Sequence, residues 1–263
     1  MEQEVKKLLN TKFWGKKVVY FEEIDSTNNV IKEMATEGAE HGTLVIAGSQ
    51  TAGRGRRGRN WVSESGSGIW MSFLLRPIMD LQNVSMLTLV AALAVRKAVW
   101  EETGISGKIK WPNDIVVNGK KVCGILTELS ATSDKINHVV VGVGINANTR
   151  EFPEEISDVA TSLFLESKVE INHAKLIATF GKVFEEYYEQ FMITQDLSFL
   201  KKEYNENLVN RNNKVKIIDT SMEYVGISQG INELGELLVT DDAGGQHVVR
   251  SGEVSVRGIY GYV

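Results

Sequence analysis

Short runs of apolar residues, separated by polar and glycine-rich stretches, predict alternating strands and helices in the first part of the chain. The stretch DSTNNVIKEMATEG (25–38) is predicted to be a helix that stops at Gly38, with Asp25, Ser26 or Thr27 supplying the N-cap oxygen. No helical period is present in SESGSG (63–68). Three runs around these stretches are predicted strands: KKVVYFEEI (16–24), TLVIAGSQ (43–50) and GIWMSFLLRP (68–77).

The longest predicted helix runs from Val84 to Thr103, is rich in Leu, Ala and Val, and is followed by Gly104 at its C-terminal end. KIKWPNDIVVNGKKVCGILTEL (108–129) predicts two strands joined at Asn118–Gly119, because Asn-Gly between alternating apolar residues favours a hairpin. A third strand is predicted in NHVVVGVGINAN (137–148).

Two further helices are predicted, one from about Ala174 to Met192 with Asn172 as its cap, the other from Leu197 to Asn207 with Asp196 as its cap. From Arg211 onward the pattern changes to short strands at close intervals, typical of a small barrel or sandwich. These strands are KVKIID (214–219), MEYVGISQGI (222–231), GELLVTDDAGGQHVV (235–249) and GEVSVR (252–257).

These elements predict an α+β protein with a mixed β-sheet and helices over residues 1–210, followed by a small β domain over residues 211–263. With 263 residues, of which 43% are hydrophobic, the chain is long enough for one large core and a small satellite domain. No run of 18 apolar residues and no signal-like N-terminus is present, so we expect a cytoplasmic protein without a membrane role.

Composition also limits the chemistry. A net charge of −5 argues against a surface that binds nucleic acid or anionic membrane as a whole, because such binding needs concentrated Lys and Arg. The single cysteine, Cys123, excludes an intrachain disulfide and lies in the apolar run KVCGIL, so we expect it in the core without a catalytic role. The four histidines lack ligand spacing with it, so no protein-held metal is expected.

The stretch GRGRRGRNW (53–61) has the letters of a dinucleotide-binding turn and four arginines. A dinucleotide site needs a helix that begins at the third glycine, and the following RNWVSESGSG is a poor helix former. A solvated surface loop is one alternative, since most charge runs are exposed. The other is a mobile loop that becomes ordered around an anion, because three glycines make an ordered loop costly.

Two more constellations carry candidate chemistry. KWPND (110–114) predicts a strand and a tight turn with a buried tryptophan, but Lys110 at its edge is also suited to neutralising a carboxylate or a phosphate. STN (26–28) favours a helix cap over a ligand site, although a cap leaves other polar atoms free to face a pocket. Sequence alone does not separate the structural and functional interpretations of either motif.

Together and in this order, the motifs strongly resemble those of the bacterial biotin–protein ligases. The resemblance runs from about Val18 to the C-terminus and implies the biotin/lipoate ligase-like catalytic fold followed by an SH3-like module, which includes ISQGINELGELLV (227–239). The matching motifs are DSTN (25–28), SQTAGRGRRGRNW (49–61), KWPNDI (110–115), GILTE (124–128) and VGVGIN (141–146).

The resemblance implies that biotin and MgATP form biotinyl-5′-adenylate, and that a lysine of a biotin carboxyl carrier domain then takes the biotin. Lys110 and Arg54 are the implied catalytic residues. An aromatic residue over the adenine is also implied, for which Trp61 and Phe152 are both candidates. The implied biotin-binding residues are Ser26, Thr27, Asn28, Gln50, Arg54, Gly55, Arg56, Lys110 and Gly124. The implied ATP and adenylate contacts are Arg54, Arg56, Lys110, Gly144 and Asn146.

Larger family members carry an N-terminal winged helix-turn-helix and act as repressors, whereas only some 17 residues precede the first strand here, so no repressor activity is expected. Two other functions remain as alternatives. A lipoate or octanoate ligase would share the fold but not the arginine-rich loop, and a nucleic-acid-binding protein would use that loop without biotin. The sequence does not decide between a monomer and a homodimer.

Overall fold

Seven strands form one mixed sheet in the computed structural model, which describes residues 1–133, 135–218, 223–252, 254–258 and 262–263. Their order across the sheet is β1-β2-β3-β7-β6-β5-β4, with β1 and β2 parallel and every other neighbouring pair antiparallel. The strands are β1 (Val18–Ile24), β2 (Leu44–Gln50), β3 (Ile69–Leu75), β4 (Lys108–Lys110), β5 (Asp114–Val117), β6 (Lys120–Ala131) and β7 (Ile136–Ile145).

Helices cover the two faces of this sheet. On one face α2 packs over Val45, Leu74 and Val140, and on the other the long helices α3 and α6 lie against each other over the main core. Successive side chains of a strand point to opposite faces, which is why Leu44 and Val45 belong to different apolar clusters. The helices are α1 (Glu2–Leu8), α2 (Thr27–Thr36), α3 (Met86–Thr103), α4 (Glu154–Ser157), α5 (Leu163–Ser167), α6 (His173–Thr194) and α7 (Lys201–Asn207).

A second, antiparallel sheet follows, with the strand order β11-β10-β9-β8-β12. The predicted strand 235–249 is two strands, because Asp241 Oδ1 accepts hydrogen bonds from the backbone N–H groups of Ala243 and Gly245 and closes a turn there. The ends of three predicted strands, Asp219, Met222 and Glu253, lie outside the described residues. The strands are β8 (Lys214–Ile218), β9 (Glu223–Ile231), β10 (Leu237–Asp241), β11 (Gln246–Val249) and β12 (Ser255–Gly258).

The predicted α+β class, with a mixed sheet and a small C-terminal β module, is therefore confirmed. The module is joined to the first sheet by specific contacts, since the Trp111 indole N–H donates to Gly235 O at 3.0 Å and Asn205 Oδ1 accepts from Ile231 N at 2.7 Å. A domain boundary between residues 210 and 211 stays a prediction.

Some helix predictions were wrong in detail. With 22 residues α6 is longer than α3, which has 18. The helix predicted from Leu197 begins only at Lys201, because Asp196 holds Ser198 in a turn by accepting from both its backbone N–H and its hydroxyl. Asn172 caps α6 as predicted, accepting from Lys175 N at 3.0 Å. The short helices α1, α4 and α5 were not predicted.

The segment Leu81–Thr103 is long and apolar enough to cross a membrane, with a mean hydropathy of 1.3. However, 72% of its most apolar 18-residue stretch is buried inside the fold, and twelve residues of α3 are buried against the rest of the protein. The same composition is expected of a helix in the core of a large domain.

Glu185 anchors the N-terminal segment to α6. Its carboxylate is only 6% exposed and accepts the backbone N–H groups of Lys12, Phe13 and Trp14 at 2.5, 2.8 and 2.9 Å. We expect Glu185→Ala to lower the free energy of unfolding by about 3 kcal/mol, since three backbone donors, one of them buried, lose a carboxylate acceptor. Urea denaturation measures this. The exposed neighbour Glu186 is the control, and an equal loss in Glu186→Ala would contradict the anchoring role.

Candidate active site

The STN motif begins α2, but not as the cap that the sequence predicted. Ser26 occupies the N-cap position, yet its own side chain makes no capping hydrogen bond. Instead, Gln50 Oε1 at the end of β2 accepts from the backbone N–H of Thr27 at 2.8 Å and from its hydroxyl at 3.1 Å. Gln50 Nε2 in turn donates to Ser63 Oγ at 2.8 Å. Thr27 is therefore tied to the end of β2 and, through Gln50, to Ser63.

Asn28 extends this network into the sheet. The buried Ser72 hydroxyl lies 2.7 Å from Thr27 Oγ1 and 2.5 Å from Asn28 Oδ1. Asn28 Nδ2 donates to Glu128 Oε2 at 2.6 Å. Neither Ser72 nor Glu128 was among the predicted site residues, although Glu128 closes the GILTE motif.

A cavity of about 50 Å³, here named the small cavity, lies between α2, the sheet and the loop GRGRRGRNW (53–61), here named the arginine loop. Nine of the eleven predicted site residues line it. They are Ser26, Thr27, Asn28, Gln50, Arg54, Gly55, Arg56, Gly124 and Gly144.

Trp61 covers the floor of the small cavity. Gly124 and Gly144 are paired across β6 and β7, and a Cβ atom at either position would lie 2.7 Å from the Trp61 indole. These two glycines thus leave a flat surface on which the ring packs. Of the two aromatic candidates, Trp61 lines the cavity and Phe152 does not.

The arginine loop contains no dinucleotide-type helix, as predicted. After Gly55 the backbone makes only a three-residue 3-10 turn, Arg56–Gly58. Arg54 turns toward α2, donating to Asn29 Oδ1 at 3.0 Å and lying 3.3 Å from Glu128 Oε1. Arg56 turns the other way, donating to Asn113 Oδ1 at 2.9 Å and to the carbonyl oxygens of Gly252 and Val254 in the β module.

KWPND contains the buried tryptophan in a turn that the sequence predicted, and its lysine is buried as well. Trp111 is buried, 2% exposed, in the turn between β4 and β5. Lys110 is also buried, 6% exposed, with Nζ 3.8 Å from the centre of the Tyr262 ring. The Tyr262 hydroxyl donates to Asp114, which also pairs with Lys121 at 2.6 Å.

Burial sets the ionisation of these groups. It lowers the pKa of Lys110 to about 8, against the opposing attraction of Asp114. Burial alone would raise the pKa of Asp114, but Lys121, Lys110 and the Tyr262 hydrogen bond outweigh it and hold that pKa below its usual value. Asp114 therefore stays ionised and fixes two of its neighbours by charge.

A second cavity, about 550 Å³ and here named the cationic cavity, extends from this cluster to the β module. Among the described residues that line it, Asp114 is the only acid. Six basic side chains line it: Arg56, Arg57, Arg59, Lys110, Lys121 and Arg257. Such a concentration of positive charge favours a polyanion.

Two of the predicted residues lie apart from the small cavity. Lys110 lines the cationic cavity only. Asn146 lines neither, and its side chain donates to Thr161 O at 3.0 Å in a buried position. Cys123 is fully buried, and burial raises the pKa of its thiol. Within the described part of the chain, no three His, Cys, Asp or Glu residues are placed to hold a metal ion.

Sequence reasoning also missed Lys121, Arg257 and Tyr262. Lys121 follows the Asn118–Gly119 turn of the hairpin, where a lysine is typical of a polar side chain that faces solvent. Arg257 and Tyr262 come from the β module, far along the chain from Lys110, and no local sequence pattern connects them with the site.

Comparisons with known proteins agree with this geometry. Residues 20–146 match the model of the biotin/lipoate A/B protein ligase family. The chain is similar to the bifunctional ligase/repressor BirA of Bacillus subtilis, with 38% identity over 245 residues that cover 92% of this chain and 75% of that protein. It is 32% identical over 237 residues to the biotin–[acetyl-CoA-carboxylase] ligase of Mycobacterium tuberculosis, covering 86% and 83% of the two chains.

A solved structure, the biotin protein ligase from Aquifex aeolicus in complex with biotin and ATP, has the same fold. The TM-score is 0.82 at 33% identity, with 92% of this chain and 99% of the other covered. The similarity therefore includes both the mixed sheet and the C-terminal β module.

Proposed function

This chain belongs to the biotin/lipoate A/B protein ligase family, and we propose that it is an ATP-dependent biotin–protein ligase. A carboxylate oxygen of biotin attacks the α-phosphorus of ATP, and pyrophosphate leaves to give biotinyl-5′-adenylate. The deprotonated amine of an acceptor lysine then attacks the acyl carbon, an amide bond forms, and AMP leaves. We assign the acceptor lysine to a biotin carboxyl carrier domain.

One observation carries the proposal: the small cavity and the cationic cavity meet at Arg56, which lines both. A reaction that joins a carboxylate to ATP brings two anions together at one point. Cationic groups are needed there to offset the charge of the crowded phosphate in the transition state. The guanidinium of Arg56 can make paired hydrogen bonds to a phosphate, and Lys110 adds a compact point charge from the cationic side.

The small cavity suits the ring system of biotin. The ureido group has two N–H donors and one carbonyl acceptor, and the network of Thr27, Asn28 and Gln50 offers hydroxyl and amide groups of both kinds. Ser26 has no capping role that would occupy its hydroxyl. Once the Trp61 ring has moved aside, the glycine floor lets the apolar part of the ligand lie against the sheet.

The cationic cavity suits the nucleotide. Its six basic side chains offset the charge of a triphosphate, and Trp61, which lines both cavities, is our candidate for the aromatic residue against adenine. We propose that Mg²⁺ arrives bound to the phosphates of ATP, since Mg²⁺ usually keeps several waters and few protein ligands. Asp114, the single acid among the described residues of this wall, is engaged by Lys121 and Tyr262.

The arginine loop must move for biotin to enter. A volume of about 50 Å³ is far below the roughly 300 Å³ of a typical ligand pocket, and Trp61 occupies the floor. Gly53, Gly55 and Gly58 give the loop the freedom to open and close. Closure over the adenylate would protect the mixed anhydride from water.

We further propose a cytoplasmic enzyme made of a catalytic domain, residues 1–210, and a β domain, residues 211–263. The β domain contributes to the reaction, because Arg257 and Tyr262 lie in the wall of the cationic cavity. The proposed mechanism uses residues of one chain only, so it applies to a monomer and to a homodimer. Sedimentation measures which of the two the protein forms.

The proposal is tested with purified protein, biotin, MgATP and a carrier domain. Pyrophosphate release, biotinyl-adenylate detected by mass spectrometry and biotin on the carrier lysine are the expected results. Lipoate in place of biotin is the matched control for the other branch of the family, and we expect it to react far more slowly. Tight lipoate binding without biotin binding would overturn the choice, as would the absence of pyrophosphate release with either acid.

A further inference from the structure

The carboxylate of Glu128 joins three elements around the small cavity. One oxygen accepts from Asn28 Nδ2 at 2.6 Å, and the other lies 2.5 Å from Lys32 Nζ and 3.3 Å from Arg54 Nη1. The Glu128 side chain is only 20% exposed. Burial alone would raise its pKa, but the hydrogen bonds from Lys32 and Asn28 and the nearby charges hold the pKa below its usual value. Glu128 is thus ionised and can only accept hydrogen bonds.

An acceptor-only partner fixes which way the Asn28 amide points. Because the carboxylate must meet the NH₂ group of Asn28, the amide oxygen is directed at the Ser72 hydroxyl, 2.5 Å away. That hydroxyl has a single proton and a second neighbour, Thr27 Oγ1, at 2.7 Å. With Oδ1 of Asn28 as its acceptor, Ser72 directs its proton to Asn28. A reversed amide would instead donate to Ser72, and the Ser72 proton would turn to Thr27.

The direction of this proton determines what the site offers a ligand. While Ser72 donates to Asn28, the Thr27 hydroxyl has to supply the proton of its 2.7 Å contact with Ser72; with the amide reversed, Ser72 supplies that proton and the Thr27 proton turns to Gln50 Oε1. We propose that Glu128 is a positioning residue of the biotin site, whose carboxylate fixes the Asn28 amide and, through Ser72, the orientation of the Thr27 hydroxyl toward the ureido group of biotin. This inference rests on the proposed function.

Glu128→Gln tests it with almost no change in side-chain volume. An amide can donate or accept, so Asn28 loses its fixed orientation. We expect the dissociation constant for biotin, measured by calorimetry, to rise about tenfold, the usual effect of losing a charged hydrogen-bond partner. The KM for ATP should change less than threefold, since no nucleotide contact is removed.

Two further variants show whether Glu128 acts on biotin affinity by orienting Asn28 or only by stabilising the fold around it. Lys32→Met removes a cation from the same carboxylate but leaves the bond to Asn28, so biotin affinity should stay within twofold of wild type. In a Ser72→Ala background, the hydrogen bonds that connect Asn28 with Thr27 are absent. Glu128→Gln should therefore add less to the loss of affinity than it does alone. Equal losses in Glu128→Gln and Lys32→Met, or strictly additive losses in the double variant, would overturn the proposal.

Thermal unfolding of each variant checks that it is folded. The outcomes remain distinct from those of the parent proposal: wild-type protein that fails to bind biotin refutes the ligase function. Wild-type protein that binds biotin while Glu128→Gln binds it equally well refutes only the role of Glu128.

Discussion

Replacing Lys110 by alanine is expected to slow biotinyl-adenylate formation by about 10²- to 10³-fold, the usual effect of removing one preorganised charge stabiliser. The ammonium lines the cationic cavity, is 6% exposed, lies 3.8 Å from the centre of the Tyr262 ring and is attracted by the charge of Asp114. In the proposed reaction this charge would stabilise the negative charge that develops on the phosphate. Single-turnover measurement of pyrophosphate release gives the rate directly.

Stability should be little affected, because removing a buried charge also removes its desolvation cost and Asp114 keeps its ion pair with Lys121. Lys108→Ala, on the same strand but exposed, is the matched control and should react at the wild-type rate. A parallel fall in activity and thermal stability for Lys110→Ala would favour a purely structural role for KWPND. Equal activity of Lys110→Ala and wild type would remove Lys110 from the mechanism.

Lys110 should also leave a signature in the pH profile. Burial lowers its pKa to about 8, so the free enzyme loses this charge as the pH rises through about 8. We expect kcat/KM for ATP, which reports the free enzyme, to fall above that pH, and the fall to be absent in Lys110→Arg and Lys110→Ala. In the ATP complex the phosphates raise the pKa, so kcat should fall only at higher pH.

The main elements of the fold could be predicted because their signals are local. The hairpin at Asn118–Gly119 and the cap at Asn172 depend on residues next to the element they specify, and both are where the sequence put them. The start of α7 was missed because Asp196 caps a turn with the same hydrogen-bond chemistry that would cap a helix. Local propensity does not distinguish the two.

The site was predictable as a set of motifs but not as a network. Thr27 was one of three residues that could have capped α2, yet its partner is Gln50, which lies 23 residues along the chain and comes close only when β1 and β2 pair. Glu128 alternates with apolar residues as a solvent-facing strand residue would, but α2 covers it. Tyr262 reaches Asp114 across 148 residues. Such contacts are set by tertiary packing, which a one-dimensional pattern does not encode.

Arg56 is placed to hold the arginine loop against the KWPND turn and the β module. It is the loop residue whose guanidinium contacts both the KWPND turn, through Asn113, and the β module, through the carbonyl oxygens of Gly252 and Val254. It also lines both cavities. Closing the loop and holding a phosphate at the junction would therefore depend on the same side chain, and losing it should affect the adenylate more than biotin.

We expect Arg56→Gly to release biotinyl-adenylate about 10- to 100-fold faster, since a charge-assisted contact and the closure both disappear. Biotin binding should be partly retained, because Thr27, Asn28 and Gln50 are untouched. Rapid mixing of preloaded enzyme with excess unlabelled biotin and ATP measures the dissociation rate. Arg57→Gly is the comparison: it removes the same charge and adds the same flexibility at a residue whose φ of 59° glycine adopts easily. A similar acceleration in both variants would assign the effect to loop flexibility or to the lost positive charge of the cationic cavity, which Arg57 also lines, and not to the contacts of Arg56. An unchanged rate in Arg56→Gly would exclude the proposed role of Arg56 in closure.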